Sequence, residues 1–235
     1  MRKLIPAAAV AVMVLAGGQV QAGSGEDTEF LFRLGMLQGH LMVGHDLLAA
    51  DKVKLAMPHF GHLVRELYDD IKDYVNEKHI APFEQALIDL ESSAQSNPHG
   101  AETEAKYQAV IADLEKAREA TPASVRASVP TMIEVCADTI DAASGEYGEA
   151  LNKGRVDDLG EYHDSRGFIT YVTALVDKMS ASQPSAADSA LIARFKTVLA
   201  KAQNIVEPLI PSETPRASVA QYRAVAEEAR AVAKQ

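Results

Sequence analysis

The sequence predicts an all-α protein, built as a bundle of antiparallel helical hairpins. Three observations support this fold class. Every long segment spaces its apolar residues at helical rather than alternating intervals. Ala, Leu, Glu, Lys and Arg, which favour helices, dominate these segments. The breaks between them are short and rich in Pro, Gly, Ser and Asn, as expected for connections between neighbouring helices. No stretch alternates long enough to predict a strand.

The spacing predicts eight helices, separated by loops whose composition marks them. Residues 96–100, 121–124 and 182–185 are such loops. Pro58 falls inside the second helix and predicts a kink or a later start, because proline lacks the amide hydrogen that a helix interior uses. The predicted helices span 27–50, 53–78, 82–95, 101–120, 124–152, 155–181, 187–207 and 215–234.

Residues 1–22 have the pattern of a cleavable secretory signal peptide. Two basic residues precede an apolar stretch over 4–16, and Val20, Gln21 and Ala22 form a small-x-small cleavage site. The apolar stretch is shorter than the roughly 20 residues that a membrane-spanning helix needs. We therefore expect cleavage after Ala22, a periplasmic location and no transmembrane segment in the mature chain.

Composition and charge exclude several classes of protein. The chain carries 33 acidic and 23 basic side chains, a net charge of −10, which becomes −12 once the signal peptide is removed. Such an acidic chain without a basic run is a poor nucleic-acid binder. One cysteine, Cys136, excludes a disulfide framework and a cysteine-based metal cluster, and its apolar neighbours predict a buried thiol. No nucleophile elbow or phosphate-binding loop is present, so we do not expect an enzyme.

Two hairpins of the sequence match each other in one gapless frame. The offset is 104 residues, and four of the six matched pairs are identities. The match favours a duplication that gives an N-terminal lobe over 23–121 and a C-terminal lobe over 122–235, while a chance match of two helical sequences is the alternative. The pairs are Gly44 with Gly148, Leu47 with Leu151, Leu55 with Leu159, His59 with His163, Val64 with Phe168 and Ile71 with Leu175.

The first of these hairpins also resembles a tetratricopeptide (TPR) repeat. Small residues at Gly44 and Ala56 would let two antiparallel helices approach closely, with Phe60 filling the space beside them. The pattern departs from the family at His40, where tryptophan is usual, and at Tyr68, where proline is common. Only about 30 residues match, so the resemblance implies one TPR-like hairpin rather than an array.

A second resemblance lies in residues 145–175. This stretch is similar to helical extracytoplasmic regions that are attached to some bacterial high-affinity iron permeases. The transmembrane segments of the permeases are absent from it, so the resemblance implies an accessory or binding role with iron or copper as cargo. The residues that carry it are Gly145, Glu146, Tyr147, Gly154, Arg155, Val156, Glu161, Tyr162, Asp164 and Phe168.

Histidines cluster near the first hairpin and suggest a metal site. His59 and His62 are three residues apart on one helix face, and Glu66 and Asp69 continue a polar stripe from His62. His40 comes from the preceding helix, which should pack against this one. Histidine with methionine suits copper, and histidine with carboxylates suits iron, zinc or nickel. The alternative is a solvated polar face beside a hydrogen-bonded core histidine.

A second candidate cluster lies in the second hairpin. Its carboxylates could converge on a hard metal ion from two helices. The alternative is structural, because acidic groups near a helix start are favoured by the helix dipole. The members are Glu146, Glu149, Asp157, Glu161, His163 and Asp164.

These features together predict a periplasmic helical binding protein. We expect it to be accessory to the transport or handling of a transition metal, iron or copper, with a transporter or another envelope protein as its partner. Two alternatives remain open from the sequence. One is a protein–protein adaptor that uses a TPR-like groove, and the other is a carrier of an apolar ligand such as a lipid or sterol.

Overall fold

The structure, a computed structural model, describes residues 25–62 and 67–235, apart from the side chain of His62. The predicted signal peptide therefore lies outside the described residues. These residues are almost entirely helical, which confirms the all-α helical bundle. The helices are α1 (Gly25–Ala49), α2 (Val53–His62), α3 (Asp69–Glu77), α4 (Glu84–Ser96), α5 (Ala101–Glu119), α6 (Ala123–Arg126), α7 (Val129–Ala150), α8 (Leu159–Ala181), α9 (Ala186–Val206) and α10 (Val219–Ala233).

One predicted helix is divided in the structure, and another is described only in part. The described parts of the predicted helix 53–78 are α2 and α3, with residues 63–66 between them outside the described residues. The predicted helix 124–152 contains the four-residue α6 and then α7, which starts anew because the Ser128 hydroxyl caps it by accepting a hydrogen bond from the Thr131 amide at 3.3 Å. Pro130 stands in the first turn of α7, where its missing amide hydrogen has no cost.

A short β-hairpin joins α7 to α8, where the sequence analysis expected no strand. Strand β1 (Leu151–Asn152) pairs antiparallel with β2 (Arg155–Val156). The turn residues Lys153 and Gly154 both have positive φ, 52° and 76°, which is the backbone twist that two-residue hairpins require. The predicted break at 153–154 coincides with this turn, but the predicted boundaries at 152 and 155 were wrong, because α7 ends at Ala150 and α8 begins at Leu159.

The C-terminal helices form a four-helix bundle. Helix α7 packs against α8 and α10, and α9 packs against α8 and α10, so the four helices close around one core. Large side chains fill that core, among them Tyr147, Phe195 and Tyr222. Cys136 is fully buried there, as the sequence predicted, and burial raises the pKa of its thiol. The thiol is therefore inert at neutral pH.

Helix α1 is the element that joins the bundle to the remaining helices. It packs against α7 and α8 on one side and against α2 and α5 on the other, which explains why apolar residues surround its axis. At Gly39 an added Cβ would lie 2.7 Å from the Phe168 ring, and one at Gly167 would overlap the Gly39 carbonyl. The backbones of α1 and α8 thus touch, which places His40 directly against α8.

Helices α1 and α2 also approach closely at a glycine. A Cβ at Gly44 would stand 3.0 Å from the Phe60 ring and 3.4 Å from the Cβ of His59. This close packing sets His59 on the inner side of α2. None of the described helices is long and apolar enough to cross a membrane.

Candidate functional site

A buried carboxylate, Asp164 on α8, binds two histidines from other helices. Its Oδ1 accepts a hydrogen bond from Nδ1 of His59 at 2.7 Å, and Nε2 of His40 lies 3.2 Å from the same oxygen. The three side chains are no more than 8% exposed. Asp164 therefore ties α1 and α2 to the four-helix bundle through one oxygen atom.

The contacts within this group shift the pKa values of Asp164 and His40 in opposite directions. Burial opposes ionisation of Asp164, but the two histidines more than offset this and hold its pKa well below the usual range. Burial likewise opposes protonation of His40, whereas the Asp164 carboxylate and the Met36 carbonyl, 2.9 Å from Nδ1, raise the pKa of His40. An ionised Asp164 thus faces a histidine that favours the protonated form.

A third histidine, His163, lies beside His59. The ring centroids are 5.6 Å apart and the rings meet edge to face. Nε2 of His163 donates to the Leu209 carbonyl at 2.9 Å, so Nδ1 carries the lone pair of the neutral ring. Burial, aided by the neighbouring His59, lowers the pKa of His163 to about 4, which keeps the ring neutral at physiological pH.

Both of these histidines keep one buried nitrogen without a hydrogen-bond partner among the described residues. These atoms are Nε2 of His59 and Nδ1 of His163. An unsatisfied buried polar atom costs about 1–3 kcal/mol, so each of these two nitrogens reduces the stability that the group contributes.

A group of three carboxylates lies on the ends of α7 and α8. Glu146 and Glu149 are three residues apart on α7, and Glu161 is in the first turn of α8. One oxygen from each lies within 4.8 Å of the others. The two-residue turn brings the helices into this position, and the Asp158 side chain caps α8 by accepting from the Gly160 amide at 2.8 Å. Among the described residues, this is the one group with three candidate metal ligands so close together.

Like charges in this acidic group disturb its protonation. Partial burial, a hydrogen bond with Glu161, and the charges of Glu161 and Asp164 together raise the pKa of Glu146 to about 8. Glu146 therefore stays protonated at neutral pH. Once that proton is lost, a bound cation would balance the negative charge of the three carboxylates. The effect of Asp164 and His40 on this pKa shows that the acidic group and the histidine group are electrostatic neighbours.

The connection between α9 and α10 is hydrogen-bonded to the β-hairpin and to the first turns of α8. The Tyr162 hydroxyl donates to the Pro208 carbonyl at 2.9 Å, beside the bond from His163 to Leu209. The Val156 amide donates to the Glu213 carbonyl at 3.0 Å, which fastens the same connection to the β-hairpin. The orientation of His163 is thus fixed from outside its own helix.

The two clusters of the sequence analysis are rearranged in the structure. His40 and His59, from the first, meet His163 and Asp164, from the second. Asp69 is excluded from this group, since it is exposed and pairs with Lys72. The side chain of His62 and all of Glu66 lie outside the described residues.

In the second cluster, Glu146, Glu149 and Glu161 converge while Asp157 does not. Asp157 accepts a hydrogen bond from Asn152 on the exposed hairpin. The sequence analysis did not pair His40 with Asp164. A small-residue signal was present at Gly39 and Gly167, but one sequence alone does not show that these glycines face each other.

Comparison with known proteins gives one match. No significant match was found among curated proteins or among solved structures. Residues 122–235 match the family model of the iron permease-associated 4-helix bundle domain. This range includes α7–α10 and every residue of the acidic group. The C-terminal part of the chain is thus similar to iron permease-associated 4-helix bundle domains, which confirms the resemblance carried by residues 145–175.

Proposed function

We propose that the protein is an exported periplasmic binding protein, accessory to a transporter, that binds iron at Glu146, Glu149 and Glu161. The observation that carries this proposal is the approach of three carboxylates within 4.8 Å. They lie inside the range that matches the iron permease-associated family. The proposal depends on no catalytic motif and on no membrane-spanning helix.

The donor set favours a hard or borderline cation. Carboxylate oxygens suit iron better than they suit monovalent copper, which prefers sulfur ligands. Because Glu146 holds a proton at neutral pH, the metal must displace that proton when it binds, which makes the affinity rise with pH. Glu149 is exposed, so the ion can enter and leave from solvent.

The test is titration of the purified mature chain with Fe²⁺ under anaerobic conditions. We expect one bound ion, and at least tenfold weaker binding by a Glu149→Gln, Glu161→Gln double variant, since two of three ligands lose their charge. A matched control is Glu102→Gln with Glu119→Gln, which removes the same charge from exposed positions of α5. Equal weakening in both variants would refute the site, and displacement of Fe²⁺ by millimolar Ca²⁺ would show a site without preference for iron.

Export and partnership need their own measurement. The mature protein isolated from the periplasm should begin at Gly23, and in-cell cross-linking should recover a membrane transporter. A chain that begins at Met1, or one found in the cytoplasm, would contradict the proposed location.

A pocket favours the apolar-ligand hypothesis as a second candidate function. It has a volume of about 480 Å³, within the range of small-molecule sites, and it lies where α5 and α6 meet α7 and α8. Its apolar wall includes Met132, Leu175 and Met179, and Arg118 stands at its edge. Native mass spectrometry of protein from its own periplasm distinguishes the two, because a lipid and a metal ion differ in mass.

A further inference from the structure

The pocket between α5, α6, α7 and α8 has a continuous apolar wall. Val129 and Met132 are three residues apart on α7, and Leu175 and Met179 are four residues apart on α8, so each pair lies on one face of its helix. The two helices pack against each other, which joins the two faces. Methionine side chains are flexible and adapt to apolar partners of different shape. The wall therefore suits a hydrocarbon chain.

The same pocket is lined by more cations than anions. Arg118, Arg126 and Lys178 stand against two carboxylates, Glu115 and Glu119, which leaves the lining with a net charge of +1. The whole chain, by contrast, carries a net charge of −10. A cationic excess at one pocket of an acidic protein favours an anionic ligand, because complementary charge attracts the ligand and like charge repels the wrong one.

One of the two carboxylates is already shared between two of the cations. Glu115 accepts a hydrogen bond from Nζ of Lys178 at 2.9 Å, and its other oxygen lies 3.6 Å from Nε of Arg118. Burial opposes ionisation of Glu115, but Lys178 and Arg118 lower its pKa, so it stays charged. A single carboxylate thus balances two cations, and positive charge remains.

Arg118 supplies a fixed part of that charge. Its side chain is buried, and its terminal nitrogens donate to the Tyr171 hydroxyl at 3.0 Å and to the Gln38 side-chain oxygen at 3.1 Å. Both partners are neutral, since burial raises the pKa of the Tyr171 hydroxyl. These hydrogen bonds hold the guanidinium beside the pocket without cancelling its charge.

Arg126 on α6 is the cation that has no counter-ion among the described residues. It is half-buried at the pocket, and no described carboxylate forms an ion pair with it. A guanidinium presents N–H groups in the fork geometry that matches a carboxylate. The lining thus combines an apolar wall with one unpaired guanidinium, which is the arrangement that a ligand with a polar end and an apolar chain requires.

We propose that this pocket binds an anionic amphiphile, an unbranched hydrocarbon chain with a carboxylate head group, whose chain lies along the apolar wall and whose carboxylate pairs with Arg126. The proposal rests on the second candidate function, the pocket for an apolar ligand, and it is independent of the iron site. It excludes sterols and other neutral lipids as the preferred ligand, because they leave the guanidinium unpaired.

The first test titrates the full mature chain, carrying ¹³C in its methionine methyl groups, with decanoate below its micellar concentration. We expect one equivalent to bind and to shift the methyl resonances of Met132 and Met179. Octanoate should bind about fifteenfold more weakly, because each of its two missing CH₂ groups contributes about fourfold to the affinity. Ala127→Trp places a large ring at an exposed position of the lining and should weaken decanoate binding at least tenfold, whereas Ala112→Trp, at an exposed position of α5 outside the pocket, should not.

The second test separates the head group from the chain. Decanol has the same number of carbons and no charge, and it should bind at least tenfold more weakly than decanoate. Arg126→Gln should weaken decanoate binding by about tenfold, since hydrogen bonds between charged groups are lost, and should leave decanol binding unchanged. Arg223→Gln removes the same charge from an exposed position of α10 and should change neither.

The outcomes that overturn the proposal also say which part of it fails. If decanoate leaves Met132 and Met179 unshifted, the pocket binds no amphiphile, and the apolar-ligand candidate fails with the proposal. If decanol binds as tightly as decanoate, or if Arg126→Gln and Arg223→Gln act alike, the pocket binds the chain alone and only the anionic class is refuted. If Ala127→Trp does not fold, the methyl shifts and the comparison of decanoate with decanol in the wild-type chain decide.

Discussion

The histidine group and the acidic group differ in how they are held together. In the histidine group, the buried Asp164 carboxylate is paired with two histidines, His40 and His59. In the acidic group, three like charges converge, and only a proton on Glu146 relieves the repulsion. The histidine group thus stabilises the contact between α1, α2 and α8. The acidic group holds negative charge that a bound cation would neutralise.

This difference has a consequence for function. A carboxylate that is paired within the chain contributes to folding whether or not metal is present, while an uncompensated acidic group is stabilised by any cation that binds the folded state. Changes in the histidine group should therefore affect stability first. Changes in the acidic group should affect metal binding and pH dependence first.

The largest expected effect is at the centre of the histidine group. Asp164→Ala removes the partner of a buried, charge-favouring histidine, and breaking such a buried pair costs about 3–5 kcal/mol. We expect the free energy of unfolding at pH 7 to fall by that amount, measured by urea denaturation. Asp157→Ala, on the exposed hairpin, is the control and should change it by less than about 0.5 kcal/mol. Equal effects would show that Asp164 carries no special structural weight.

A smaller effect is expected where α1 touches α8. Gly167→Ala places a methyl group against the Gly39 carbonyl, so the helices must separate, and overpacking of this kind costs about 1–3 kcal/mol. The same separation should weaken the contact between His40 and Asp164, which lowers the pKa of His40 in an NMR titration. An unchanged pKa alongside lost stability would show that the joint and the network are independent.

The matched control for that substitution is Gly145→Ala on α7. A Cβ there meets nothing within 4 Å, and alanine favours a helix over glycine by up to about 1 kcal/mol. The two glycine-to-alanine changes should therefore move the free energy of unfolding in opposite directions.

The smallest effect is expected in the acidic group, since partial exposure lets solvent screen its charges. The pKa of Glu146 is raised in the folded chain, so its contribution is fully present below the unfolded pKa of about 4.5 and is lost as pH rises through about 8. Glu146→Gln mimics the protonated form. With a chelator present, the free energy of unfolding of Glu146→Gln should increase relative to that of the wild type as the pH rises from 5 to 8.

Glu149→Gln is the control for that experiment, because the exposed Glu149 should give a difference from wild type that changes little over the same range. A Glu146→Gln curve parallel to the wild-type curve would contradict the raised pKa. At pH 8, added Fe²⁺ should raise the free energy of unfolding of the wild type but not that of Glu146→Gln.

The sequence alone determined the fold class, most helix positions and the types of candidate ligand. These follow from local physics: helical periodicity, proline and glycine breaks, and the apolar surroundings of Cys136 and His59. It placed a break at 153–154, between two predicted helices, but it could not show that a β-hairpin forms there, because strands of two residues are too short to give an alternating pattern.

The tertiary structure decided which candidates meet. His59 and Asp164 are 105 residues apart, and their hydrogen bond depends on the contact between Gly39 and Gly167 that brings α1 onto α8. Helical spacing places residues on a face of their own helix, but it does not say which face of which other helix they will touch. The division into a compensated histidine group and an uncompensated acidic group is therefore a property of the packed molecule.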